Sequence, residues 1–381
     1  MNNFLSKRAC VNIKSMVVLL LSVLVALISL YVYNERRIQA DDFALGKENT
    51  SRSESWNGIP FTGRNIVEIS AIVRQYSDLQ SNHKSKQQKI ILWLGNSQLH
   101  TINQFKLGEH LAPYWLRKLA LCEDCLVPLG LSLSNANPQE AFVLSQYVVK
   151  RVALSALVLQ VEFMGFREDG VRGEFSKIAT PDMVNSLRDY SVGKNLALLA
   201  SGAVGNDGVA KNEAGLDGVP KQDIEGLLTD KLGEIWPLWK DRANLRSNVL
   251  GDLFTFRNWA LNISSASQRK IIKPRYQKNI LALEDLLASL RDANVPVVIY
   301  SAPVRQDYPL PYDGVEYSKW KEQIELLANS YSATYVNLDK LIPPQNWGSN
   351  FGPDIDFMHF QEAGHKIIAE ELYPLIQSRM K

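Results

Sequence analysis

The sequence carries almost no excess of charge: 42 Lys and Arg stand against 40 Asp and Glu in 381 residues, a formal net charge of +2. A chain this near neutrality offers no broadly basic surface, so nucleic acid is not expected as a partner. Cysteine is also scarce, with three in the whole chain. Cys10 stands alone near the start, and Cys122 and Cys125 form a C-x-x-C. No further thiol or imidazole is spaced to complete a zinc shell around that pair, and no thioredoxin-like pattern accompanies it. A local disulfide in an oxidising compartment is the simpler expectation, with no catalytic role. Internal repeats are absent as well. What remains, 46% hydrophobic and 22% charged residues, is the composition of a folded protein.

Long apolar runs are limited to one. Met16 to Tyr33 is charge-free and mostly apolar, and a bilayer-spanning helix needs about 17–25 such residues. Lys7, Arg8 and Lys14 precede it, whereas Arg36 and Arg37 behind it are offset by Glu35, Asp41 and Asp42. That bias predicts a cytoplasmic N-terminus and an extracytoplasmic main domain, anchored in the lipid bilayer through residues 16–33. A cleaved export signal is the alternative, although Gln39-Ala40 is a poor cleavage site. The expected organisation is a cytoplasmic tail over 1–15, the anchor over 16–33, a stalk and first helix over 34–82, and one large domain over 83–381.

Within that domain, short apolar runs alternate with amphipathic stretches. Lys89–Leu94, Leu126–Leu129, Ala156–Val161, Pro296–Tyr300 and Ala333–Asn337 read as strands, and Glu140–Arg151, Lys278–Asn294 and Ser318–Ser330 as helices. This rhythm predicts an α/β fold, three layers of α/β/α around a flavodoxin-like parallel sheet. A Gly, Asn and Asp-rich loop at Ser201–Lys221 and a helical insertion reaching about residue 261 interrupt it. The insertion has an aromatic stripe (Trp236, Trp239, Phe254, Phe256, Trp259) suited to core packing, with an acyl-chain lid or membrane contact as alternatives.

Two segments carry chemistry. Gly95-Asn96-Ser97 follows the first of these strands, at the sheet edge where ligands gather, with Gly95 allowing a tight turn and a following helix offering free N–H groups. Asp356 and His359 stand three residues apart before the last helical pattern, near enough for the carboxylate to orient the imidazole. Ser97 alone is as readily a helix cap as a nucleophile. Together with His359 as base and Asp356 as its partner, it is expected to be catalytic. His365 and Asp354 could in principle join that pair around a metal, but no second cluster completes a shell, so neither metal nor cofactor is expected. His100 reads as a helix-surface or pocket residue.

These blocks resemble those of the SGNH/GDSL hydrolase superfamily: Gly95-Asn96-Ser97 matches its first block, Asp356-Phe-Met-His359 its last, and His359 to His365 its final helix start. The resemblance runs from Lys89 to the C-terminus apart from the insertion. It implies Ser97, His359 and Asp356 as a triad, with oxyanion donors from the Ser97 backbone and from the second and third blocks. In the second block Asn135 stands where Gly is usual, and Asn tolerates left-handed backbone angles better than most residues. The third block is missing: Val161 is followed by Glu162-Phe-Met-Gly165-Phe-Arg167, with no Gly-x-Asn-Asp. Arg167 is a candidate to replace that donor, and Asn96, Glu162 and Arg305 are candidate substrate contacts, with a structural ion pair the equal reading for Arg305.

A membrane-anchored domain with such middle blocks is similar in layout to polysaccharide O-acetyltransferases and to the D-alanyl transfer protein of teichoic acid synthesis. That layout implies acyl transfer to, or hydrolysis from, an acylated polysaccharide or cell-envelope polymer, often beside a multi-pass membrane acyltransferase. The competing class is a non-catalytic polysaccharide-binding or assembly subunit.

Overall fold

The computed structural model describes residues 49–81, 88–120, 126–201, 268–348 and 356–380, all within one compact unit. The expected membrane span, Cys122 and Cys125, and residues 202–261 of the loop and insertion lie outside the described residues. Among the described residues no helix is long and apolar enough to cross a membrane.

The sheet has six parallel strands: β1 (Thr62–Gly63), β2 (Lys89–Gly95), β3 (Leu126–Ser132), β4 (Ala156–Val161), β5 (Val297–Ser301) and β6 (Thr334–Asn337), in the order β6-β5-β4-β2-β3-β1. The five longer strands therefore follow the flavodoxin-like order, with β1 added at one edge. The chain leaves β2 towards β3 and returns across it to β4, which opens a crevice at the carboxyl ends of β2 and β4.

Eight helices of the described chain accompany the sheet: α1 (Ile66–Ser81), α2 (Ala112–Leu119), α3 (Pro138–Val149), α4 (Pro181–Ser186), α5 (Gly193–Ala200), α6 (Lys273–Asp292), α7 (Gly314–Ser330) and α8 (Glu362–Arg379). Strand residues alternate between faces. Ile90, Leu92 and Leu94 of β2 pack in the layer with α1, α3, α6 and α7. Ile91 and Trp93 of the same strand face α2 and α8. Burying each such side chain is worth about 1.5–3 kcal/mol, so the apolar strands hold only between two helical layers. The sequence also sets the helix starts: Asn137 accepts the Glu140 N–H at 3.0 Å before α3, and Asp313 accepts those of Val315 and Glu316 at 3.1 Å before α7.

The stalk expectation is corrected from Asn49 onward. Asn49–Ser51 pairs antiparallel with Thr101–Asn103, Thr62–Gly63 is a strand of the main sheet, and the expected first helix, α1, buries Ile66, Ile69, Ile72, Val73 and Tyr76 in the core. These strands are only two or three residues long and follow no alternation, which is why the sequence concealed them.

This segment also buries a carboxyl. Glu54 accepts hydrogen bonds from Leu111 N (3.1 Å) and His110 Nδ1 (3.0 Å), while its Oε2 is buried with no partner among the described residues. Burial pushes its pKa from 4.5 up to about 7, against the Leu111 N–H and Arg52, which favour the charged form. The native state thus holds this proton more tightly than the unfolded chain, so the stability contributed below pH 4.5 is lost as pH rises towards 7. Glu54→Gln keeps the acceptor without the charge. Its melting temperature is expected to match the wild type near pH 4 and to exceed it by about 5 °C at pH 8, measured by thermal denaturation at both values.

Candidate active site

β2 delivers Gly95, Asn96 and Ser97 to the crevice. Asn96, in an extended conformation, accepts the Gln98 N–H through its Oδ1 at 2.9 Å, so Asn96 and not Ser97 is the cap of the turn. The expected helix after Ser97 is corrected: Ser97–Leu99 is a single 3₁₀ turn, and Thr101–Asn103 then runs out as a strand against Asn49–Ser51. The β-branched Thr101 and Ile102 favour that ladder over a helix. No long helix dipole stands behind Ser97. Gly95 also differs from expectation, since its φ is ordinary; the need is for space, because a Cβ there would collide with Gln160 Oε1 and crowd Leu99.

Opposite Ser97 lies the segment before α8. Its position is fixed by backbone bonds from Asn103 N to Phe360 O (3.0 Å) and from Gln361 N to Asn346 O (2.8 Å). The amide of Gln98 donates to Met358 O (2.6 Å) and Pro303 O (3.0 Å), tying the Ser97 turn directly to this segment. Gln98 Oε1 in turn accepts from Gln160 Nε2 (2.5 Å), and Gln160 Oε1 accepts the Asn96 N–H (3.1 Å). Two buried glutamines thus hold the Ser97 turn, the end of β4 and the histidine segment as one network.

In that frame Ser97 Oγ is 2.9 Å from His359 Nε2, and His359 Nδ1 is 2.8 Å from Asp356 Oδ2. Asp356 Oδ1 accepts the N–H groups of Met358 (2.8 Å) and His359 (3.0 Å), and its Oδ2 also accepts from Asn49 Nδ2 at 2.5 Å. Burial works to raise the Asp356 pKa, but the bond and charge of His359, the Met358 N–H and the Asn49 amide outweigh it and hold the pKa below the usual carboxylate value. An ionised carboxylate only accepts, so Nδ1 of His359 carries its proton and Nε2 presents a lone pair to the Ser97 hydroxyl.

The other expected contacts have different surroundings. Asn135 adopts φ +54°, the left-handed angle foreseen for it, and sits exposed on the turn after β3. Arg167 lies on a 3₁₀ turn after β4, its guanidinium donating to Lys270 O (2.7 Å) and Met164 Sδ (3.5 Å). Those bonds tie it to the backbone and sulfur of neighbouring segments. Arg305 is 1% exposed and its fork is filled by Asp307 at 2.8 and 3.0 Å, with Gly348 O and the Asp356 carbonyl also in reach. It braces the Asp356 backbone from a buried position.

His365 donates from Nε2 to Thr101 O (3.0 Å) and accepts the Ala112 N–H at Nδ1 (3.3 Å), so both nitrogens are engaged by backbone. Burial depresses its pKa to about 3, as a donor facing Nδ1 requires. His100 is buried against Ser132 Oγ (2.8 Å), and burial lowers its pKa to about 3. Glu162 follows β4 as Ser97 follows β2, lining a largely apolar pocket with Asn96, Asn137 and Gly165. Among the described residues no group of three His, Cys, Asp or Glu could hold a metal ion.

Sequence reading missed Gln98, Gln160 and Asn49. A signal existed for Gln160, a lone amide inside the apolar strand Ala156–Val161, where a buried polar group demands partners. Asn49 had none.

No family model matches the chain, and no curated protein matches it. Among solved structures, a variant of Axe2, an acetyl-xylooligosaccharide esterase from a Geobacillus species, aligns over 77% of this chain and 96% of its own at 10% identity. The TM-score of that alignment is 0.35, too low to bear on activity.

Proposed function

We propose that the chain is an SGNH-type serine esterase or O-acyltransferase acting on acyl esters of a cell-surface polysaccharide or other envelope polymer. The observation that carries the reading is the unbroken hydrogen-bonded series Ser97 Oγ, His359 Nε2, His359 Nδ1, Asp356 Oδ2, with spacings of 2.9 and 2.8 Å. Ser97 Oγ attacks the acyl carbonyl carbon while His359 Nε2 takes its proton, and the carbonyl π electrons move to oxygen. Asp356 stabilises the imidazolium. As the tetrahedral intermediate collapses, His359 returns the proton to the leaving alkoxide and the acyl group stays on Ser97. Water, or a sugar hydroxyl deprotonated by the same histidine, then takes it.

The exported setting rests on the apolar run Met16–Tyr33 and its flanking charges. The anchor places the domain on the outer face of the cell membrane, periplasmic in a two-membrane cell, within reach of the polymer and of a multi-pass acyltransferase partner. A fluorophosphonate probe tests the reading. Covalent labelling of the folded wild type, absent in Ser97→Ala, supports it; a folded wild type that takes no label sinks it and leaves the polymer-binding subunit as the alternative, tested by polysaccharide binding that Ser97→Ala leaves intact.

A further inference from the structure

The mechanism above leaves Glu162 without a task, yet it is placed as a reacting group would be. It emerges from β4 at the level where Ser97 emerges from β2: the parallel register pairs Leu94 with Leu159, so Ser97 and Glu162 stand three residues beyond paired positions. Both therefore flank the crevice where the strand order reverses. Its side chain is bonded by the Asn96 amide next to Ser97 and lies within the field of His359. Oε2 is buried and has no hydrogen-bond partner among the described residues. A buried carboxyl oxygen left unpaired costs about 1–3 kcal/mol, a cost that a ligand atom at that position would remove.

We propose that Glu162, as the neutral acid, donates its O–H to the oxyanion that forms when Ser97 attacks an ester, serving in place of the Gly-x-Asn-Asp donor that is missing after β4. The assignment rests on the esterase reading and adds a residue to it. The proton stays on Glu162 throughout: the carbonyl π electrons move to oxygen as the Ser97 Oγ–carbon bond forms, the O–H bonds to that oxygen, and the C=O is restored when the alkoxide leaves. Ionised, the same carboxylate would repel the oxyanion.

The surroundings favour the neutral form near neutrality. Burial raises its pKa from 4.5 to about 7, with Glu168 acting in the same direction and the Asn96 bond, His359 and Arg269 opposing. Tyr312 and Tyr317, both buried and themselves pushed up, also face it.

The test uses full-length protein in detergent and compares wild type, Glu162→Gln and Glu162→Met. Fluorophosphonate labelling and kcat/KM for p-nitrophenyl acetate are measured from pH 5 to 8.5, with folding checked by circular dichroism. The wild-type profile is expected to fall above about pH 7 as the donor ionises. Glu162→Gln, an uncharged donor at every pH, is expected to lose that alkaline fall and to stay within about tenfold of wild type at pH 6. Glu162→Met, similar in length but without a donor, should lose about 100- to 1,000-fold in kcat at pH 6, with KM little changed. A labelled wild type whose pH profile is shared by Glu162→Gln, or a Glu162→Met variant of wild-type activity, overturns this assignment alone. A folded wild type that takes no label overturns the esterase reading and this one with it.

Discussion

Ser97→Ala and His359→Ala are each expected to lower kcat for ester hydrolysis by about 10⁴-fold or more, and the double variant to be no slower than either single one. The two side chains act as a unit. Without Oγ there is no covalent intermediate, and without Nε2 at 2.9 Å the hydroxyl keeps its proton. What remains is substrate binding and whatever polarises the carbonyl, which neither substitution removes. The measurement is the steady-state rate on p-nitrophenyl acetate for the three variants. A double variant markedly slower than both singles would mean that the two side chains contribute separately, and the triad would have to be abandoned.

Asp356→Asn belongs to the same series and separates charge from geometry. Its Oδ1 position accepts two backbone N–H groups, from Met358 and His359, so the amide oxygen must occupy it. The NH2 group then faces His359 Nδ1, where the carboxylate had been. An amide donor there forces the imidazole proton onto Nε2, which can no longer accept from Ser97. The same NH2 also meets the Asn49 amide, donor against donor. A loss of about 10⁴-fold in kcat is expected, with a folded protein and an unchanged KM. A smaller loss, near tenfold, would indicate that Asp356 only holds the loop.

The sheet and the meeting of Ser97, His359 and Asp356 were legible in the sequence because each depends on local pattern. Runs such as Ile90–Leu94 and Ala156–Val161 are apolar, rich in β-formers and too short for a buried helix, so they read as strands buried on both faces. The Asp356 to His359 interval is short enough for one segment to set its geometry. What the sequence concealed depends on contacts between distant segments. Asn49 reaches Asp356 across 307 positions, and Gln98 reaches Met358 across 260, so neither has a signature near its partner. Arg305 looked equally suited to a substrate or to an ion pair, and only its burial against Asp307 decides between them. The 3₁₀ turn at Ser97 was hidden for a related reason: the strand that draws the chain away from helix is completed by Asn49–Ser51, a segment read as stalk.

The glutamine network makes Gly95 a position outside Ser97, His359 and Asp356 where a small change should do large damage. Gly95 pairs with Ser132 on β3, and Leu94 beside it pairs with Leu159 on β4, so the backbone is held from both sides and cannot retreat. A methyl group added there drives into Gln160 Oε1 and presses on Leu99. Gln160 must then move, which frees the Asn96 N–H and breaks the bond to Gln98 Oε1. Overpacking costs about 1–3 kcal/mol and an orphaned buried donor about as much again. A fall in Tm of about 5–10 °C is expected for Gly95→Ala. Activity should fall further than stability, by about 100-fold at a temperature where the variant is folded, because a shift of about 1 Å at Ser97 spoils its line to His359. Adding Gln160→Ala separates the two effects. Removing the obstructing amide should restore part of the lost Tm while leaving activity low, since Asn96 and Gln98 are still without their partner. Recovery of both together would mean that the methyl group acts by steric pressure alone and that the glutamine pair does not position the serine.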